Sequence, residues 1–347
     1  MRLQQLLGIH LPIIQAPMAG VQGSALAVAV SNAGGLGSLP CAMLTPETLR
    51  RELTVLQTQT THPYNVNFFC HTPPTPDAER EAAWRAALTP YFTELGLDAN
   101  AIPSGPGRQP FSADMADVLA EFKPPVVSFH FGLPSADLLA RVKSWGAKVL
   151  SSATTVDEAC WLEAHGADAI IAQGLEAGGH RGMFLTDDLH TQVGTFALLP
   201  QVVQAVNIPV IAAGGIADAA GVAAAMSLGA AGVQVGTAYL TCSEATTSPL
   251  HRAALQSEQA RVTALTNLFT GRPARGIVNR IMREMGPISS LAPAFPLATA
   301  AIAPLRAQAE SHGLTDFTPL WAGQNTSGCH HQPAAELTRA LAALVRA

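Results

Sequence analysis

Eight short apolar runs, each followed by a stretch with helical spacing, recur along most of this chain, and that alternation constrains its fold more than any other feature. The runs are PIIQAP (12–17), LGSLP (36–40), YNVNFF (64–69), PVVSFHFG (125–132), AKVLSSA (147–153), ADAIIAQG (167–174), IPVIAAGG (208–215) and AAGVQVGT (230–237). Strands apolar on both faces and separated by helices pair in parallel, with the helices packed outside. Eight such units favour a closed (β/α)8 TIM barrel over an open doubly wound sheet.

The helices between them carry their own punctuation. SALAVAVSNAGG is expected to end at Gly34 or Gly35 in a left-handed turn, and TPETLRRELTVLQTQT to start with Thr45 as N-cap and Pro46 at its first position. One stretch, up to about residue 123, departs from the rhythm. Its helical patterns DAEREAAWRAAL and SADMADVLAEF, split by IPSGPGRQP, read together as an insertion. After residue 240 the chain becomes more polar and richest in arginine, then Pro/Ala-rich over 287–304. The expected organisation is a barrel from 1–240 plus 320–347, and a smaller α/β or helical domain from 241–320 over its mouth. PAAELTRALAALVRA would close the barrel wall.

Composition removes several function classes. Hydrophobic residues make up 48% and charged residues 13%, which describes a well-buried enzyme-like chain. A net charge of −5 with no basic block argues against nucleic acid as a partner. Five scattered cysteines without a Cys-x-x-Cys spacing fit a reducing compartment rather than a disulfide framework or zinc site. No apolar stretch approaches the roughly 18 residues that a spanning helix needs, so a soluble, cytoplasmic protein is expected, with no membrane partner. A homo-oligomer is compatible with the sequence, which carries no heptad or stripe to diagnose one.

In a barrel of this kind the chemistry lies just after each strand. AGGIAD (213–218) and VGTAY (235–239) follow the last two apolar runs, where glycine lets backbone N–H groups approach a phosphate. AGGLGS (33–38) is not a dinucleotide fingerprint, because it follows a helix and precedes a strand. Strand ends also offer Gln15, Met18, Asn67, His130, Gln173 and Gln234, whose amides in particular suit the mixed donor and acceptor edge of a flavin ring. The segment QGLEAGGHRG (173–182) places His180 in a glycine-rich loop. A histidine there can accept a carbon-bound proton or, when charged, hold an anion. Glu176 and Arg181 are read as shaping that loop, by pairing across it, and His130 as lining the pocket. SGCHH (327–331) has no ligand partners at suitable spacing, so no metal site is expected.

Taken in order, PIIQAPMAG, NVNFF, FHFGLP, QGLEAGGHRG, IPVIAAGGIAD, GVQVGTAYL, GRPARGIVNR and LWAGQNTSGC resemble the nitronate monooxygenases, formerly called 2-nitropropane dioxygenases. The form EAGGHRG, with Arg181, is similar to the class of true nitronate oxidisers. The resemblance implies an FMN-dependent barrel oxidising alkyl nitronates with O₂ to a carbonyl compound and nitrite. It implies flavin contacts at Met18, Asn67, Gln173, Gly178, Gly214, Gly215, Gln234, Gly236 and Thr237, and an active-site histidine at His180. Propionate 3-nitronate is the substrate it suggests. The segment matching the family's tyrosine- and lysine-bearing pocket wall reads SLAPAFPLATAAIAPLR here, with neither residue. Arg272, Arg275 and Arg306 are the candidates for the missing cation. Two other readings stand beside this one: an FMN-dependent NAD(P)H oxidoreductase acting on an enoyl thioester or quinone, and a catalytically silent phosphate-binding barrel.

Overall fold

In the computed structural model, which describes residues 3–102 and 108–345, the eight apolar runs form eight parallel strands. These are β1 (Ile13–Gln15), β2 (Gly37–Pro40), β3 (Tyr64–Phe69), β4 (Val126–His130), β5 (Lys148–Ala153) and β6 (Ala169–Gln173), then, after the two-residue strand β7 (Gly179–His180), β8 (Val210–Ala213) and β9 (Gly232–Val235). Their order is β1-β9-β8-β6-β5-β4-β3-β2. The two ends of that sheet meet at a parallel bridge between Ile14 and Leu36, where Gln15 N donates to Leu36 O over 3.0 Å. The barrel is therefore nearly closed.

Alternation along each strand separates two cores. Ile13, Ile170, Val210, Ala212 and Val233 point outward into the layer shared with the helices. Ile14, Ile171, Ile211 and Ala213 point inward, where they meet Leu3 and Leu7 of α1 (Leu3–Leu7). On β2–β4 the inward positions turn polar: Asn65 Nδ2 donates to Ser38 Oγ (3.0 Å) and Ser128 Oγ (2.9 Å) within the buried interior. This polar layer lies one step below Asn67.

The wall helices are α2 (Ser24–Asn32), α3 (Pro46–Gln59), then after α4 (Ala78–Glu94) come α5 (Ala113–Phe122), α6 (Ala136–Lys143), α7 (Val156–Ala164), α8 (Thr195–Ala205) and α9 (Ala219–Ser227). Gly34 ends α2 in the left-handed region at φ 96°, and the Thr45 hydroxyl caps α3 ahead of Pro46. Gly37 shows why β2 lies so close to α2: a Cβ there would stand 1.9 Å from Ala27 O.

Beyond β9 the chain forms α10 (Pro249–Leu255), the hairpin β10 (Thr263–Thr266) and β11 (Ala274–Ile277), α11 (Arg280–Glu284) and α12 (Thr299–Ser311), before α13 (Ala334–Leu341) packs back on α2 and α9. The cap core joins Leu268, Phe269, Ile281, Ile302 and Phe317 to Trp84, Leu88 and Phe92 of α4. The stretch that reads as one insertion thus divides in two. The helix α4 packs with the cap, whereas α5 packs between α3 and α6 as the ordinary crossover from β3 to β4. Residues 103–107, inside the IPSGPGRQP break, lie outside the described residues.

Candidate active site

A cavity of about 320 Å³ opens at the C-terminal ends of the barrel strands, beneath the cap. Met18, Asn67, His130, Gln173 and Gln234 line it from the strand ends. Gly178, Gly214, Gly215, Gly236 and Thr237 line it from the turns, and His180 stands in its wall. Gln15 does not reach it. That amide is fully buried, its Nε2 donating to Gln22 Oε1 (2.7 Å) and its Oε1 accepting from Ser38 N (2.9 Å).

The segment carrying His180 is not a free loop. Gly179 and His180 form β7, which pairs antiparallel with β11, setting Ala274 opposite His180 and Arg275 opposite Gly179. The hairpin β10–β11 and β7 make a three-stranded sheet that lays the cap against the cavity. Below it, the His180 carbonyl accepts from Gln173 Nε2 (3.0 Å) and from His130 Nε2 (3.1 Å). A carbonyl only accepts, so His130 carries its proton on Nε2, and Nδ1 accepts from the Ser152 hydroxyl at 3.0 Å. His130 lines the cavity, but both of its nitrogens are spent on holding other groups.

Arg181 and Glu176 do not pair with each other. Arg181 is fully buried, donating from Nε to Gln192 Oε1 (2.9 Å) and from its two terminal nitrogens to the Gly174 and Gln173 carbonyls (2.7 Å each). Gln192 continues to Thr154 Oγ1 (3.0 Å), which donates to the buried carboxylate of Glu158 (2.7 Å). Glu176 instead accepts from Thr195 N (2.8 Å) and Thr195 Oγ1 (2.8 Å), tying the segment to the start of α8. Both charged residues build the frame of the segment.

The His180 imidazole is enclosed by Phe295 (ring centroids 5.3 Å apart), Trp321 (5.7 Å), Phe131 (6.0 Å) and Phe69 (6.1 Å). Its Nε2 lies 2.9 Å from Thr270 Oγ1. Burial, then Arg108 and the neighbouring His130, Arg272 and His71, hold its pKa well below the ordinary histidine value. His130 is pushed down to about 4, chiefly by burial. Both rings are neutral at neutral pH.

Two features of the wall describe what it is built to receive. Gly214 (φ 118°) and Gly215 (φ 74°) adopt left-handed backbone, and a Cβ on Gly214 would stand 2.8 Å from Thr195 Oγ1. A Cβ on Gly178 would stand 2.5 Å from Gly323 N, so that the segment holding Thr237 Oγ1 against Gly323 N (2.9 Å) approaches without a side chain between. Gln234 Oε1 is buried in the cavity wall with no hydrogen-bond partner, as a group awaiting a ligand donor would be.

Sequence reasoning missed several contributors. Phe295, Phe131 and Thr270 reach the site only through tertiary packing, and Arg108 lies within the Pro/Gly break that separates two helices. Of the three arginines expected to supply a cation, Arg275 is buried and donates to the Leu175 carbonyl (2.9 Å), outside the cavity. Arg272 lies 4.0 Å over the Phe131 ring and donates to the Met183 carbonyl. Arg306 reaches the cavity, but its Nε is paired with Glu310 at 2.7 Å.

A (β/α)8 barrel with glycine turns after its last two strands and a histidine-centred aromatic pocket beneath a cap is the frame of a cofactor-dependent barrel enzyme. Comparison with known proteins places it further: the nitronate monooxygenase family model matches residues 1–343, and the chain belongs to that family. It is thereby an oxidoreductase of the monooxygenase kind. Nitronate monooxygenase from Paraburkholderia phytofirmans is 44% identical over 97% of this chain and 92% of its own length. That from Pseudomonas aeruginosa is 42% identical over 98% and 97%. Among solved structures, nitroalkane oxidase from Streptomyces ansochromogenes superimposes with a TM-score of 0.89 at 40% identity, covering 98% of this chain and 96% of that one. FabK from Thermotoga maritima is more distant, with a TM-score of 0.72 at 29% identity over 97% and 93%.

Proposed function

We propose that this enzyme holds FMN in the cavity at the barrel mouth and oxidises small alkyl nitronates with O₂, giving a carbonyl compound and nitrite. The observation that carries the cofactor reading is the wall itself. The glycine turns at Gly214–Gly215 and Gly236 fit a phosphate, and the unpartnered Gln234 Oε1 fits an N–H of the flavin ring. Met18, Asn67, Gln173, Gly178 and Thr237 would complete the contacts. Bound there, the flavin supplies the electron-accepting chemistry that no amino-acid side chain provides.

The protein's own residues then have distinct tasks. The backbone of His180 is fixed by Gln173, His130 and the pairing with β11, so its ring is held at one place among aromatic side chains. Those rings exclude water from the reacting end of the cavity. A neutral His180 is present as free base, yet its lowered pKa makes it a weak acceptor for a proton on carbon. The site is thus better suited to a nitronate that arrives already deprotonated than to a neutral nitroalkane. For a nitronate, the ring orients the anion through a hydrogen bond and moves no proton.

Steady-state assay of nitrite release from ethyl nitronate in air, with no nicotinamide present, tests the reading. Yellow protein that releases nitrite is the expected result. Yellow protein that releases none, but whose flavin NADPH reduces at a useful rate, would support the reductase reading that the similarity to FabK keeps in view. Colourless protein that takes up no FMN would leave a binding barrel.

A further inference from the structure

Arg108 lines the cavity, yet among the described residues no acidic side chain answers it. Its Nη1 is buried and makes no hydrogen bond to the described residues, and its guanidinium carbon lies 5.9 Å from the centre of the Phe295 ring, the same ring that packs on His180. The residue is held from behind. His71 Nε2 lies 3.1 Å from the Arg108 carbonyl and therefore donates to it, and His71 itself packs edge-on against Phe295 with centroids 4.8 Å apart. Phe111 N donates to Phe69 O (2.8 Å), fixing the chain just beyond. Burial alone pulls the guanidinium below its ordinary pKa, with no carboxylate opposing the effect, whereas Arg272 and Arg181 both feel nearby Glu158. A cation placed this way costs free energy unless an anion joins it.

We propose that Arg108 is the substrate-recognition residue of this site, binding a planar two-oxygen anion of the substrate through its guanidinium fork while His180 and Phe295 form the adjoining wall. The fork matches two equivalent oxygens, which a nitronate and a carboxylate share. This role rests on the nitronate reading for the identity of the substrate, but not for the presence of an anion site. It also accounts for the pocket wall over 290–306, which carries no lysine: the cation comes out of the β3–β4 connection and meets that wall at Phe295.

The test uses the FMN-loaded full chain, with Arg108→Gln and Arg108→Lys, and Arg306→Gln as comparison. KM and kcat are measured with ethyl nitronate, which carries one anionic group, and propionate 3-nitronate, which carries two. Succinate and nitrate binding is measured by calorimetry. Arg108→Gln is expected to raise KM about 10- to 100-fold, the span of one charge-assisted contact, with a smaller change in kcat. Arg108→Lys should recover part of that loss, and Arg306→Gln should change KM less. An equal rise for both substrates assigns the nitronate oxygens to Arg108, and a larger rise for propionate 3-nitronate assigns the carboxylate. Unchanged KM for both, in a variant that keeps its flavin, would overturn the proposal. If the wild-type protein releases no nitrite, the nitronate reading fails and calorimetry decides alone. Succinate or nitrate binding lost in Arg108→Gln then sustains the anion site, and binding that is equal in both proteins, or absent from the wild type, removes it.

Discussion

At the scale of single residues the site divides into groups that hold and groups that face the ligand. His130, Gln173 and Arg181 all carry chemistry-bearing side chains, yet their hydrogen bonds go to the protein itself: to backbone carbonyls around His180 and the end of β6, and to Ser152, Gln192 and the Gly182 amide. Their positions after apolar runs were legible because strand ends in a barrel face the mouth. Their tasks were not, since the partners are carbonyls and amides that no motif displays. Arg108 was not legible either: nothing periodic surrounds it, and its placement depends on Phe295 and His71. For His180 the expected outcome of substitution follows from its neutrality. In His180→Asn, kcat/KM for ethyl nitronate should fall about tenfold or less, the scale of one lost orienting hydrogen bond, while the slow turnover of neutral nitroethane, which also loses its weak base, should fall about tenfold further. Parallel kinetics with both substrates check this, and an equal loss would show that the ring only orients the anion.

At the scale of elements, eight strands and the crossover helices are readable because apolar period and length decide them locally. The pairing of β7 with β11 is not, because it joins a glycine-rich segment to a hairpin far along the chain. Glycine predicts freedom, and here it serves close approach. Gly178 faces the backbone of Ala322 and Gly323 with no room for a methyl group: the added Cβ would lie 2.5–2.6 Å from both. Gly178→Ala should therefore push the 322–323 segment off the cavity wall, costing about 1–3 kcal/mol of stability and weakening flavin uptake. Thermal melting of the FMN-free protein and FMN titration measure the two effects separately. A variant that melts and binds as the parent does would show that the approach is not required.

At the scale of the whole molecule, the barrel provides a rigid floor and the cap brings aromatic and cationic groups over it. That arrangement leaves several histidines neutral inside. His71 and His251 are 4% exposed, and burial lowers each to about 4, as it lowers His130. In the unfolded chain a histidine titrates near 6.5, so between about pH 6.5 and 4 the unfolded state binds more protons than the folded one. Stability should then rise with pH across that window and level off, for these groups, above about pH 7. For each fully buried histidine the slope approaches about 1.4 kcal/mol per pH unit. Melting temperatures from pH 4.5 to 8 measure it; His71→Asn, if it folds, should flatten the acid limb, and an unchanged limb would contradict this account.

On the proposed function, the cavity brings a flavin together with an anionic nitronate. The most direct measurement is the visible absorption spectrum of the purified protein, recorded anaerobically before and after adding ethyl nitronate without nicotinamide. A flavin spectrum that changes to that of a reduced flavin on mixing, and recovers with nitrite release when air is admitted, is the predicted result. A flavin spectrum left unaltered by the nitronate, with no nitrite on aeration, would contradict it.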